Sequence, residues 1–172
     1  MKRIFYLAGT LFWDLYVWLV QLLLSLLPVH MATNYLRGFL LRPALGSSGK
    51  KLQIGSGVII NHPKSLRVGA RCYISHNCYI QAKGKLTLGD DVIIGPMCIV
   101  ATGNHVIEQG KVTNKGVYRP ITVGSGTWIG GNSTITSGVE IAQGVVVGAG
   151  SVVTKSLTES GIYGGVPARL IK

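Results

Sequence analysis

An aliphatic side chain returns every sixth residue along most of this chain. Ile54 and Ile60 open the series, and Val68, Ile74 and Ile80 follow after a slip of two. Leu88, Ile94 and Val100 come after another such slip. After a break the series resumes as Val123, Ile129, Ile135, Ile141, Val147 and Val153. Glycine follows at 55, 69, 89, 95, 124, 130 and 148. Four residues after the aliphatic positions stand small or apolar side chains: Val58, Cys72, Cys78, Val92, Cys98, Thr127, Ser133, Val139, Val145 and Ser151. A period of six matches neither the 3.6 of a helix nor the 2 of a meander. It suits a chain that turns a corner every six residues and stacks short strands into a prism. The aliphatic side chains then point inward, and the adjacent glycines permit positive φ at the bends.

Composition narrows the alternatives. Glycine supplies 24 of 172 residues, about twice its usual ~7% share, but not at every third position, so a collagen helix is excluded. Apolar residues make up 47%, which excludes a disordered chain. Cys72, Cys78 and Cys98 lie on repeat positions without metal-ligand spacing and are expected as reduced core residues. The four histidines, at 30, 62, 76 and 105, show no ligand spacing either, so no metal is expected.

The N-terminus differs from the rest. Ile4 to Leu27 is apolar apart from one charge, Asp14. As a helix it reaches roughly 36 Å, enough for a ~30 Å hydrocarbon layer. Its aromatic residues, Phe5, Tyr6, Phe12, Trp13, Tyr16 and Trp18, suit an interfacial or spanning segment. Thr10, Asp14, Gln21 and Ser25 fall on one narrow stripe. A stripe of that kind suits a helix in lipid with its polar edge toward another helix. Residues 1–28 are therefore expected as a membrane-inserted helix, 29–50 as an amphipathic interfacial segment, 51–158 as the repeat domain and 159–172 as a tail. Nine basic residues and no acidic ones lie between Asp14 and Asp90. Beside an apolar anchor, that charge would attract anionic lipid or a phosphate-bearing substrate. Nucleic acid is not expected, because no recognition motif accompanies the charge.

The one long interruption, 103–120, carries His105 and Glu108. Gly95-Pro96, His105 nine residues later, Pro120-Ile-Thr-Val-Gly124 and Trp128-Ile-Gly-Gly131 occur in this order. Val147-Gly-Ala-Gly-Ser-Val-Val-Thr-Lys155 and Gly164-Gly-Val-Pro-Ala-Arg169 follow. This set resembles the hexapeptide-repeat acyltransferases, in particular the galactoside and maltose O-acetyltransferase branch, over roughly residues 54–172. The resemblance implies an all-β left-handed parallel β-helix of about five coils, assembled as a homotrimer with active sites between prisms. It implies acetyl-CoA as co-substrate and direct transfer, with His105 as general base and the Gly131 N–H on the oxyanion. Trp128, Gly130, Ala149, Thr154, Lys155, Arg169 and Lys172 would line the CoA groove. Ser75, His76 and Asn77 fall where the branch contacts sugar, and Glu108 is placed to orient the imidazole or to stay solvated. Lys83 replaces an acidic residue of that branch, which suits a phosphate or carboxylate on the acceptor.

The expected activity is O-acetylation of a sugar hydroxyl on a lipid-linked or surface-polysaccharide precursor, at the cytoplasmic face of the cell inner membrane. Membrane lipid and a sugar or glycolipid acceptor are the expected partners. N-acetylation of an amino-sugar nucleotide, or a non-catalytic membrane β-helix scaffold, stand as alternatives.

Overall fold

The computed structural model describes residues 2–172, with side chains from residue 9 onward. Phe5 and Tyr6 therefore contribute nothing here, their side chains lying outside the described residues. The repeat folds as a three-sided parallel β-solenoid. One face stacks Ser47–Ser48, Leu66–Val68, Leu86–Leu88, Ile121–Val123 and Glu140–Ile141. A second stacks Gln53–Ile54, Tyr73–Ile74, Ile93–Ile94, Trp128–Ile129, Val146–Val147 and Ile162–Gly164, with Arg169–Leu170 added antiparallel. The third stacks Ile59–Asn61, Tyr79–Gln81, Ile99–Ala101, Thr134–Ile135 and Val152–Val153. Six parallel strands on the second face give about six turns rather than five. The extra strand, Ile162–Gly164, lies beyond the last aliphatic repeat position, in the segment expected as a tail.

All fourteen repeat positions are at most 3% exposed. The corner cysteines, serines and threonine are buried as well, and their role is shared. Cys78, Cys98 and Ser133 donate to the carbonyls of Gly95, Gly130 and Gly148 on the next turn, at 3.1, 3.2 and 3.1 Å. A thiol or hydroxyl thus ties each corner to the one stacked on it. Cys98 makes that bond only as the protonated thiol. The neighbouring Cys98 thiol, and burial, push Cys78 far above the ordinary thiol range. Replacing Ser133 by alanine should cost about 1 kcal/mol in denaturant unfolding, while Ser133→Cys, which keeps a donor, should cost less.

The glycines serve closeness rather than left-handed backbone. A Cβ on Gly95 would lie 2.5 Å from Gly131 N, and one on Gly130 would lie 2.6 Å from Ala149 N. Positive φ occurs two residues after each repeat glycine, at Gly57, Arg71, Asp91, Met97, Gly126, Asn132 and Gly150. Five residue types occupy those sites, so the bend tolerates side chains and the inter-turn contact does not.

Among the described residues no helix is long and apolar enough to cross a membrane. The expectation of a membrane-inserted helix, and with it of a location on the cytoplasmic face of the inner membrane, is overturned. The first helix, α1 (Lys2–Leu24), lies across the open end of the solenoid. Its polar stripe meets the first turn: Asp14 accepts from His62 N at 3.0 Å, and Gln21 Nε2 donates to Val58 O at 3.1 Å. Val17 is buried between them, and Trp13, Tyr16 and Val20 pack on the core. A solenoid end leaves backbone donors and acceptors without a next turn, and the stripe supplies some of the missing partners. The opposite side of α1, with Phe12, Leu15, Trp18 and Leu19, is apolar and exposed.

The second helix, α2 (Met31–Leu41), occupies the segment expected at a lipid interface. It packs instead on strand Gln53–Ile54, burying Gly38 and Leu41. Arg37, expected among the lipid-facing cations, is fully buried. Its guanidinium donates to Leu24 O at 2.7 Å, capping the C-terminal end of α1, and to Asn34 Oδ1 at 3.2 Å. His30 is the N-cap of α2, its Nδ1 accepting from Ala32 N at 3.1 Å.

Candidate active site

The interruption of the repeat is an ordered hairpin. Gly103–Glu108 pairs antiparallel with Lys111–Tyr118, with a bulge between His105 and Ile107. Its foot is pinned: Arg119 N donates to Thr102 O at 2.9 Å, and Ser137 Oγ donates to the same oxygen at 2.7 Å. The hairpin therefore projects from the corner between the third and first faces, in register with the turns 82–85 and 136–139.

His105 is exposed, and its Nδ1 lies 3.1 Å from Thr113 O across the hairpin. A carbonyl oxygen only accepts, so Nδ1 carries the proton and Nε2 of the neutral ring is left with a free lone pair. Glu108 does not orient this ring; its carboxylate is held by Lys115 Nζ at 2.8 Å, in an exposed pair. Thr113 does so through its main chain, and its hydroxyl donates back to Val106 O at 3.0 Å.

Beside His105 is a hollow of about 110 Å³ lined by Gln81, Gly103, Asn104, His105, Gly116 and Tyr118. The Tyr118 ring rests on two glycines: a Cβ would lie 2.9 Å from it at Gly103 and 2.7 Å from it at Gly116. Lys83 Nζ lies 4.3 Å from the ring centroid and 3.1 Å from Tyr118 Oη. Buried Thr102 Oγ1 lies 2.8 Å from Gln81 Oε1 and 2.9 Å from Gln81 O, and its single hydroxyl proton is shared between them. Gln81, Thr113 and Tyr118 are functional candidates that sequence reasoning passed over.

The remaining expected residues fall elsewhere. Ser75, His76 and Asn77 sit at the corner between the second and third faces, one strand away from His105. Ser75 is buried and its hydroxyl donates to Tyr73 Oη at 3.1 Å, so it offers nothing to an acceptor. His76 Nδ1 accepts from Ser56 N at 3.0 Å, which puts its proton on Nε2. Asn77 is exposed, in the left-handed position of its turn.

Gly130, Gly131 and Ala149 share that second corner, and Trp128, 53% exposed, stands just before it on the second face. The Gly131 N–H donates to no carbonyl among the described residues. Thr154 and Lys155, both exposed, lie at the hairpin corner instead, and exposed Arg169 and Lys172 lie on the terminal strand and end. Gly131 and His105 are thus separated by the width of the third face, roughly 16 Å for five extended residues.

A family model described as bacterial transferase hexapeptide (six repeats) matches residues 120–155. The galactoside O-acetyltransferase of Escherichia coli K12 is 30% identical over 137 residues, covering 79% of this chain and 68% of that protein. The structure of a galactoside acetyltransferase in complex with coenzyme A matches with a TM-score of 0.82 at 26% identity, over 95% of this chain and 82% of that one. A hexapeptide-repeat acetyltransferase from Vibrio cholerae O1 biovar eltor, complexed with acetyl coenzyme A, matches with a TM-score of 0.78 at 28% identity, over 93% and 86%.

The residues here fit such a ligand. Exposed Ala149 and Gly150 form a strip without bulk, with nothing within 4 Å of a Cβ placed on Gly150. Lys155, Arg169 and Lys172 are exposed cations, the charge that phosphate groups call for. The identity to a galactoside O-acetyltransferase and the shared fold with coenzyme A complexes extend over most of the chain, and the chain accordingly belongs to the hexapeptide-repeat acetyltransferases of the galactoside and maltose O-acetyltransferase type, with CoA as acyl carrier.

Proposed function

We propose that this enzyme transfers an acetyl group from acetyl-CoA directly to a hydroxyl of a sugar in a lipid-linked or surface-polysaccharide precursor. The observation that carries the role of His105 is its hydrogen bond to Thr113 O. That bond fixes the tautomer and leaves Nε2 able to take the hydroxyl proton as the oxygen attacks. The thioester supplies an activated carbonyl, and the unpaired N–H of Gly131 would donate to the charge that develops on its oxygen. Trp128, Gly130, Ala149, Thr154, Lys155, Arg169 and Lys172 would hold the CoA. His76 and Asn77 would reach the acceptor from the second corner.

One chain cannot bring Gly131 and His105 to the same carbon across roughly 16 Å. The site is therefore built from two copies, His105 of one prism facing Gly131 of its neighbour, in a homotrimer. Exposed apolar side chains line two faces for that contact: Tyr79 and Ile99 on the third, Ile93 and Trp128 on the second.

No nucleophilic side chain takes part. The thiols of the second corner, Cys78 and Cys98, are buried and donate to Gly95 O and Gly130 O. Thiol release from acetyl-CoA, measured with hydroxyl sugars and with amino sugars as acceptors, tests the reaction. Release with hydroxyl sugars and an ester product that mild base removes are expected. Turnover confined to amino sugars, yielding a base-stable amide, would make it an N-acetyltransferase.

A further inference from the structure

Lys83 is an exposed cation without a carboxylate partner among the described residues. No Asp or Glu occurs in the turns 62–65, 82–85 and 136–139 or at 154–156, which surround the hairpin foot, whereas Lys64, Lys83, Lys85 and Lys155 do. Arg119 stands at the foot itself, its main chain against Gly84. Of the two carboxylates that flank this corner, Glu108 is already held by Lys115, and Glu140 begins the first-face strand after the turn 136–139. Cations thus outnumber carboxylates at this corner, and Lys83 is the one whose ammonium reaches Tyr118, a wall of the hollow beside His105. Its ammonium is oriented by Tyr118, whose ring is seated on Gly103 and Gly116. Gln81, which lines the same hollow, adds a neutral amide donor.

We propose that this hollow binds an acceptor bearing an anionic group, a phosphate or a carboxylate, which Lys83 and Gln81 hold while the reacting hydroxyl meets His105. The inference rests on the acyl-transfer role of His105 and specifies the acceptor that role serves. The Lys83 ammonium favours an anion over a neutral sugar, because only an anion adds charge attraction to the hydrogen bond it accepts.

Calorimetric titration of the full-length protein separates the two claims. Glucose 1-phosphate, glucuronate and methyl β-galactoside serve as the phosphate, carboxylate and neutral probes. The wild type should bind at least one anionic probe about tenfold more tightly than the galactoside, and whichever anion wins names the group. Lys83→Met should abolish the difference, and Lys83→Arg should keep most of it. Equal affinity for all three, no binding of either anion, or an unchanged preference in Lys83→Met would overturn the proposal. His105→Ala should keep the preference and lose thiol release. Release that persists in that variant would count against the base and leave the anion site standing.

Discussion

Replacing His105 by alanine should lower acetyl-CoA turnover by about 10²–10⁴-fold, the usual contribution of a positioned general base. The fold should survive, since the imidazole is exposed and makes one hydrogen bond, to Thr113 O. His105→Asn makes a sharper comparison. An asparagine amide can still donate to the Thr113 carbonyl, but it has no basic nitrogen to take a proton. Equal losses in both variants, with CoA affinity unchanged, would place the defect in proton removal and not in hairpin geometry. Full activity in His105→Asn would end the base assignment. Glu108→Gln provides the contrast: with its carboxylate turned to Lys115, turnover should stay within about threefold. A Glu108→Gln loss comparable to that of His105→Ala would instead restore the carboxylate as the group that orients the ring.

The solenoid was legible because its signal is local. Each turn needs an aliphatic side chain at the same phase, and Ile54 through Val153 repeat that requirement without reference to anything distant. The first helix was not legible in the same way. A stripe formed by Asp14 and Gln21 tells that something polar faces the helix, but not whether that partner is another helix in lipid or the open end of a solenoid. The partners here, His62 N and Val58 O, lie 48 and 37 residues away. The glycine column shows the same limit. Its period is plain in the sequence, yet whether Gly95 serves a bend or an inter-turn contact depends on Gly131, one turn on.

At the site, His105 stood out because it interrupts a regular pattern. Thr113, Tyr118 and Gln81 did not, because the bulge after His105 sets the hairpin register and no residue type announces it. Glu108 was placed beside the imidazole by proximity in sequence, while the hairpin register pairs it with Lys111 and its side chain with Lys115.

The helical cap yields a prediction in which two identical substitutions act with opposite sign. Gly9 and Gly38 both lie within helices, α1 and α2, where alanine is favoured over glycine by about 1 kcal/mol. A Cβ on Gly9 meets nothing within 4 Å, so Gly9→Ala should realise most of that gain. A Cβ on Gly38 would sit on the Leu52 carbonyl oxygen and 2.7 Å from its carbon. Both are main-chain atoms of the first turn, so no rotamer change relieves the overlap, and α2 must shift away from the solenoid. That shift loosens Leu41, fully buried on the same side of the helix, and disturbs the bond from Arg37 to Leu24 O. Overpacking in a closed site costs about 1–3 kcal/mol, and here the loss of contacts along α2 adds to it. The propensity gain is the smaller term, so Gly38→Ala should lose about 2–3 kcal/mol net. For a chain of this size that is a fall in Tm of roughly 4–12 °C. Gly9→Ala should instead raise Tm by up to about 4 °C. Thermal unfolding of the two single variants decides it, and a rise in both would mean that α2 does not rest on the first turn.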